Sequence, residues 1–412
     1  VIEFAKHADN PYFSEAGGEL VIGGQLLTDL VREHGSPLYV YDAVAVVRRL
    51  GELRDAMPSG MGLHYAVKAN PYPPLVNLIA PAVDGLDVAS SGELKIALES
   101  GMAPQDISFA GPGKTLAELE HAITAGCVLN VESTTELERI ASIAQEMGRD
   151  AHLAIRVNPD FELKGSGMRM SGGAKPFGID AECVSDVLQT LHDLPVRFEG
   201  FHIFSGSQCL NWESIAEAQN QALSLAYRLG EKLGEPPRVV NLGGGFGIPY
   251  FPGDEPLDLA RLGDSMSELM SRHRQHWPET ELVVELGRYI VGHAGLYVCE
   301  VVDRKTSRGQ VFLVTNGGLH HHLAASGNFG QVLRKNYPIA LGNRMNEDAS
   351  ERASVVGPLC TPLDILGDRV ELPPAECGDL VVVFQSGAYG YTASPLGFLS
   401  HPIPREVLVG AD

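Results

Sequence analysis

The sequence predicts an α/β protein, a (β/α)8 TIM barrel followed by a β-sandwich or β-barrel domain, and three observations carry that expectation. Short apolar, β-branched runs alternate with longer helical patterns between residues 60 and 290. The runs number eight, at residues 64–67, 86–89, 107–110, 128–131, 153–157, 198–203, 239–242 and 282–286. Beyond about residue 290 the helical periodicity fades, and strand-like runs separated by Gly, Pro and Asp turns replace it.

The eight runs are continuously apolar, as buried parallel strands are when helices cover them outside and side chains fill the interior. The segments between them carry helix punctuation. Ser90-Ser91-Gly92-Glu93, Thr115-Leu116-Ala117-Glu118 and Ser133-Thr134-Thr135-Glu136 each read as a capping box, in which side chains satisfy the first free amides. Gly101, Gly126 and Gly148 stand where left-handed helix stops belong. Eight such units match the ~250 residues of a closed barrel better than an open doubly wound sheet. The expected division is a barrel over residues 36–288 and a β domain from residues 1–35 and 289–412. In the latter, residues 291–302, 310–314, 353–356, 369–372 and 379–384 read as strands, and the first 35 residues as short strands and turns around Leu20-Val21-Ile22-Gly23-Gly24.

The 412 residues carry a formal net charge of −21, with 44% hydrophobic and 20% charged residues. An acidic surface argues against non-specific nucleic-acid binding, which needs basic patches to displace counterions. Neither a signal peptide nor a membrane span is expected, and six widely spaced cysteines without a C-x-x-C pair point to reduced thiols in a cytoplasm.

Barrel enzymes keep their chemistry at the C-terminal ends of the strands. The first run ends in Tyr65-Ala66-Val67-Lys68-Ala69-Asn70, the second at Asp87, the fifth at Arg156 and Asn158. The sixth ends at His202 with Ser205-Gly206-Ser207, the seventh in Gly243-Gly244-Gly245-Phe246-Gly247, the eighth at Glu285-Leu286-Gly287-Arg288. Each residue has a plainer reading. A strand-end lysine can simply reach water, a polyglycine turn serves tight connections, and a lone histidine is more often a satisfied core residue. The glycine run also fails the dinucleotide fingerprint, because Ile248 stands at its last position. Their conjunction on one rim changes the balance. A lysine can form a Schiff base with an aldehyde, a glycine-rich turn after strand seven can lead amides to a phosphate, and a carboxylate can keep a pyridine nitrogen protonated. Together they specify pyridoxal 5'-phosphate.

At these residues the sequence resembles the fold-type III pyridoxal-phosphate decarboxylases, which include diaminopimelate, ornithine and arginine decarboxylases and share an alanine-racemase-like barrel. The resemblance covers nearly the whole chain. The motif around Lys68 is similar to the cofactor-lysine motif, Leu86-Asp87-Val88-Ala89-Ser90 to the segment after strand two, and Phe201-His202-Ile203-Phe204-Ser205-Gly206-Ser207 to the ring-stacking histidine motif. Asn241 to Gly247 resembles the phosphate loop and Glu285-Leu286-Gly287-Arg288 the acidic motif facing the pyridine nitrogen. Gly357-Pro358-Leu359-Cys360 resembles the motif whose cysteine enters the partner subunit's site, and Gly387-Ala388-Tyr389 the tyrosine that contacts the phosphate. The resemblance implies a homodimer with shared active sites. Lys68 then holds the cofactor, His202 stacks on its ring, Arg156 orients the ring region, Glu285 keeps the pyridinium protonated, and Cys360 handles the proton at Cα after carbon dioxide leaves.

Two departures concern the substrate. Diaminopimelate decarboxylases usually follow the cysteine with a glutamate that holds the distal ammonium; here Thr361 stands there. They also carry an arginine that holds a substrate carboxylate. The corresponding region here is Asn316-Gly317-Gly318-Leu319-His320-His321-His322-Leu323-Ala324-Ala325-Ser326-Gly327-Asn328, with no arginine before Arg334. Residues 320–330 resemble decarboxylases associated with exosortase systems, and decarboxylases acting on an amino acid tethered to an acyl-carrier protein. The reaction type is thus implied, and the amino acid, free or carrier-bound, is left open. The three adjacent histidines are expected to form a polar, substrate-facing loop and not a metal site, since neighbours on an extended segment point to opposite sides. Two alternatives stand beside decarboxylation: a racemase on the same fold, disfavoured by a glutamate where an arginine would face the pyridine nitrogen, and a non-catalytic cofactor carrier, disfavoured by the β domain.

Overall fold

The computed structural model describes residues 6–231, 233–329, 331 and 334–411, so Gly330, the last residue of the histidine-bearing stretch, lies outside the described residues. Two compact units divide the chain. One comprises Val1–Arg49, Pro249–Glu255 and Ile290–Asp412, the other Leu50–Ile248 and Pro256–Tyr289.

The second unit is a closed barrel of eight parallel strands. They are β1 (Met61–Ala66), β2 (Gly85–Val88), β3 (Ile107–Phe109), β4 (Val128–Val131), β5 (Ala151–Asn158), β6 (Val196–His202), β7 (Val239–Gly244) and β8 (Glu281–Leu286). Each pairs in parallel with its neighbour in the chain. The pairing of β8 with β1, from Leu282–Met61 to Leu286–Tyr65, closes the ring. All eight apolar runs are therefore strands, and Leu63, Tyr65, Leu86, Phe109, Leu129, Leu153, Phe201 and Val240 are fully buried in them. Apolar side chains on both faces suit a strand with helices outside and a filled interior.

Helix starts follow the side-chain chemistry closely. Thr115 accepts the Glu118 amide while Glu118 returns a bond to the Thr115 amide, a complete capping box. Ser90 and Ser133 likewise accept the amides of Glu93 and Glu136. Those two glutamates, however, reach one residue further back, to the amides of Ala89 and Glu132, and so tie the helix to the strand end before it. Gly126 and Gly148 end their helices in the left-handed conformation.

The first unit is built on the long strand Gly295–Ser307. Its first half lies between Leu38–Asp42 and Leu380–Val383, and its second half pairs with Gln310–Thr315. Glu351–Val356 and Ile365–Leu372 continue the sheet beyond Gln310–Thr315, while Ile339–Leu341 pairs with Leu380–Val383 and Arg405–Val409 with Leu38–Asp42. Ser14–Ala16, Glu19–Ile22 and Gln25–Leu26 form a small antiparallel sheet of their own, and Leu20, Ile22, Leu27 and Leu30 pack with Leu38, Val40, Leu296, Val298, Leu380 and Val382.

Three segments differ from expectation. Leu38–Asp42, placed by sequence in the barrel portion, is a strand of the β unit, because Val40 and Leu38 find their partners on Gly295–Ser307. Its pattern does not distinguish the two sheets. Leu27–His34 is a helix, although the first 35 residues read as strands and turns; Leu27 and Leu30 bury one face of it. Residues 291–294 are helical turns instead of the start of a strand. The strand begins at Gly295, where a Cβ would lie 2.2 Å from the Gly387 Cα. Among the described residues no helix is long and apolar enough to cross a membrane.

The barrel wall also contains a position that tolerates no side chain. The register of β5 on β6 shifts between Phe198 and Gly200, and a Cβ on Gly200 would stand 1.8 Å from the Val239 carbonyl oxygen. Gly200→Ala is expected to lower the unfolding free energy by about 1–3 kcal/mol through forced separation of β6 and β7. Urea titration measures it, and an unchanged midpoint would show that the wall can yield there.

Candidate active site

Lys68 lies in a single 3-10 turn, Val67–Ala69, directly beyond β1. Its Nζ is 3.2 Å from Glu285 Oε1 and 5.4 Å from the centre of the Phe204 ring, and 43% of its side chain remains accessible. Glu285 ends β8 and is itself only 5% exposed. Its second oxygen accepts from His202 Nε2 at 2.8 Å and from Asn241 Nδ2 at 3.4 Å. Burial alone would raise this carboxyl's pKa. The Lys68 charge and the His202 hydrogen bond outweigh it, with Arg156 adding to them, and hold the group well below the usual carboxylate range. A carboxylate offers only acceptors, so the His202 proton sits on Nε2.

The register brings these residues together. Glu285 stands opposite His64 of β1 and opposite Gly244 of β7, and His202 opposite Arg156 of β5 and Asn241 of β7. Arg156 Nη1 binds Glu132 Oε1 at 2.8 Å, and its guanidinium lies 5.1 Å from the centre of the Phe177 ring. Glu132 also accepts the amides of Gly111 and Gly178 at 2.5 and 3.1 Å. Burial raises its pKa, Arg156 lowers it, and the net direction is down. Beside it Lys114 is buried, its Nζ shared among the carbonyls of Gly111 and Asn130 and the Glu136 carboxylate.

The glycine turn after β7 requires its glycines for different reasons. Gly243 and Gly245 have φ of +68° and +81°. A Cβ on Gly244 would lie 2.1 Å from the Glu285 carbonyl oxygen, and one on Gly245 would lie 2.9 Å from that of Gly206. Ser205 is buried beside this turn's neighbours, with its carbonyl accepting from Ser171 Oγ at 3.1 Å. Arg288 opens the short helix Arg288–Val291 after β8. Asp87 faces His64, with Oδ1 3.2 Å from Nδ1, while its Oδ2 is buried without a hydrogen-bond partner.

The remaining expected residues lie in the β unit. Cys360 is an exposed free thiol, and Tyr389 is half-buried with φ of +55°. The three histidines are buried. His321 bonds the Pro402 carbonyl and the Tyr297 hydroxyl, and His322 bonds Ser386 Oγ. Burial pushes His320, His321 and His322 down to about 3, 4 and 3, so all are neutral at pH 7. Among the described residues no group of His, Cys, Asp and Glu could hold a metal ion. Arg334 spends its guanidinium on the carbonyls of Ser326 and Ile365, at 2.9 and 2.5 Å.

Sequence reasoning passed over Glu132, Lys114, Phe204 and His64. Glu132 directly follows β4 and Lys114 lies shortly after β3, so the rule that points to strand ends would have found both had it been applied to the third and fourth strands. No local signal marks His64, which is one position in an apolar run.

Taken together, an accessible amine beside a buried ionised carboxylate and a glycine turn open to backbone approach make a barrel that fits pyridoxal 5'-phosphate. The amine suits its aldehyde, the carboxylate its ring nitrogen, and the turn its phosphate. A family model described as "Pyridoxal-dependent decarboxylase, pyridoxal binding domain" matches residues 44–292. The chain belongs to this family of decarboxylases, and its cofactor is pyridoxal phosphate. It is 37% identical over 390 residues to an L-glutamyl-[BtrI acyl-carrier protein] decarboxylase of Niallia circulans, covering 93% of this chain and 90% of that one. It is 33% identical over 411 residues to a diaminopimelate decarboxylase of Archaeoglobus fulgidus, covering 97% and 94%. The crystal structure of diaminopimelate decarboxylase from M. jannaschii superposes with a TM-score of 0.87 at 27% identity, over 97% of this chain and 93% of that one.

The Arg156–Glu132 pair yields a stability prediction with a defined sign. Glu132→Gln leaves a buried guanidinium without its counter-charge, and a loss of about 3–5 kcal/mol is expected at pH 7. Because the folded pKa of Glu132 is depressed, its contribution is full above the unfolded value of ~4.3 and fades as pH falls through the folded value. Urea unfolding of both proteins should therefore show the gap narrowing in acid. A gap independent of pH would refute the pairing.

Proposed function

We propose that this decarboxylase removes the α-carboxylate of an amino acid presented on an acyl-carrier protein, with Lys68, Glu285 and His202 as its central residues. The Lys68–Glu285–His202 cluster is the observation that carries the reaction. The substrate reading is supported by Thr361 in place of an ammonium-binding glutamate, and by an Arg334 already committed to backbone carbonyls. It is supported too by the relative that acts on a carrier-linked glutamyl group.

Pyridoxal phosphate, when bound, supplies an aldehyde and an electron-withdrawing pyridinium ring. Lys68 offers the amine that holds the aldehyde. Glu285, kept ionised by its neighbours, stabilises a proton on the ring nitrogen. His202 fixes that carboxylate through Nε2 and would stack on the ring. Arg156, braced by Glu132, orients the ring region, with Asp87 and Arg288 completing the surround. The backbone of Gly243, Gly244 and Gly245, with Ser205 and Tyr389, binds the phosphate. Cys360, an exposed thiol, would supply the proton to Cα in the site of a partner subunit. The homodimer and a cytoplasmic location extend the same reading, and sedimentation of an active, stable monomer would remove the shared site from it.

Lys68→Ala is expected to abolish the visible absorbance of lysine-bound cofactor, and a persisting band would overturn the role given to Lys68. Carbon dioxide release should be brisk from an aminoacyl group on a carrier protein and at least about tenfold slower from meso-diaminopimelate, a difference of about 1.4 kcal/mol. Equal or faster release from the free diamino acid would assign the enzyme to that substrate instead.

A further inference from the structure

Inside the barrel, beneath the Lys68–Glu285–His202 cluster, lies a cavity of about 50 Å³ whose polar lining, His202 apart, the chemistry above leaves unused. Its upper wall includes His202 and Asn241, the two residues that hydrogen-bond Glu285 Oε2. Its sides carry His64 and the Ser108–Asn130 pair, which is joined at 2.6 Å. Its lower end is formed at the N-terminal ends of the strands, by Asp84, Asp106, Arg238 and Glu281. A space of this size holds about three waters, and a polar lining fills where an apolar one stays dry.

One group on the cavity wall calls for that water. His202, which lines it, has a buried Nδ1 without a hydrogen-bond partner, and Asp87, bound to His64, has a buried Oδ2 without one. With the His202 proton committed to Glu285, Nδ1 is an acceptor, and leaving it unmet carries the desolvation cost of a buried polar group. His64 stands between these atoms in the ladder, level with Glu285 on β8 and with Gly85 on β2. The glycine makes room for it, since a Cβ at residue 85 would lie 2.5 Å from His64 Nε2. Carboxylates surround the imidazole: Asp87 on β2, and Glu281 and Glu285 on β8. Burial lowers its pKa, but these carboxylates more than compensate, and the net direction is up. The other charged groups on the cavity wall are Asp84, Asp106 and Arg238, with His202 above.

We propose that His64, paired with Asp87, is a positioning residue that exchanges protons through cavity water with Nδ1 of His202, so that the His202–Glu285 pair takes up and releases charge from the barrel interior. In the uptake step His64 gives its proton to a bridging water while that water gives one to His202 Nδ1. His64 is then reprotonated by water at the N-terminal end, and the net change is one proton gained by His202. The exchange rests on the assignment of Glu285 and His202 to the cofactor ring.

The test uses the cofactor-loaded full chain. The visible absorbance of bound cofactor and its dissociation constant are followed from about pH 5 to 9, the range in which histidines titrate, in wild type, His64→Gln and Ala154→Leu. Ala154 lines the same cavity, and leucine there fills it. The midpoint is expected to move by about one pH unit or more in both variants, with the limiting spectra unchanged. Profiles of His64→Gln that superimpose on wild type would overturn the proposal. So would a high-resolution crystal structure of the holoenzyme with no water at hydrogen-bond distance from His202 Nδ1. If His64→Gln does not fold, Ala154→Leu and the crystal structure decide. Glu285→Gln separates the two ideas: an unaltered cofactor spectrum there would remove the ring assignment itself, whichever way the His64 result falls.

Discussion

The carboxylate of Glu285 is the constraint on which the rest of the site depends. A buried carboxylate without partners takes up a proton instead of staying charged. Here it stays charged because Lys68 and His202 stand within 3.2 and 2.8 Å. Lys68 and Glu285 are 217 positions apart in the chain, and barrel closure makes them neighbours. The first and last strands meet at this seam, so the amine emerges just past β1 and the carboxylate at the end of β8. Gly287 keeps the seam tight, since a Cβ there would lie 2.7 Å from the Ala69 Cβ. Any change that parts β8 from β1 removes the charge partner together with the fold's closure.

A second buried charge system flanks the first. Arg156, Glu132, Lys114 and Glu136 alternate in sign and draw the amides and carbonyls of Gly111, Asn130 and Gly178 into one network. Buried ion pairs are weak sources of net stability because desolvation offsets their attraction. Their value here is positional. Each charge has one arrangement that satisfies it, and that arrangement fixes the loops after β3, β4 and β5 at the same rim. Arg156 also contributes to holding Glu285 ionised, so the two systems act on the same group.

The sequence exposed the barrel well and the details of the β unit less well, for a physical reason. Eight apolar runs with capped helices between them admit few other arrangements, and Lys68, His202 and Glu285 stand out as polar residues where such runs end. Leu38–Asp42 reads like any of those runs, and only its partner on Gly295–Ser307 decides its sheet. Leu27–His34 puts Leu27, Leu30 and Val31 at helical spacing, but over only eight residues among short strand-like runs. The histidines at 320–322 read only as a polar, substrate-facing loop, and their burial is not legible because Pro402 and Ser386, which hold two of them, lie more than 60 positions away. His64 could not be singled out at all. Its significance comes from Gly85 and Asp87 on the next strand and from Glu285 across the seam, three contacts that exist only after the barrel closes.

An α-decarboxylase needs a free α-carboxylate and α-amine, so attachment to a carrier must use another group of the amino acid. That attachment removes a charge from the far end. A protein that binds a free diamino diacid must instead neutralise a distal ammonium and a distal carboxylate, and an unpaired polar group in such a site costs several orders of magnitude in selectivity. In this chain Thr361 cannot neutralise an ammonium. Arg334 could serve a carboxylate only by giving up the Ser326 and Ile365 carbonyls that it now holds. Burial keeps the three histidines neutral at pH 7, so they supply no replacement cation. The residues that stand in place of a charge clamp are thus themselves uncharged or occupied, which is the physical ground for proposing a substrate whose far end carries no formal charge.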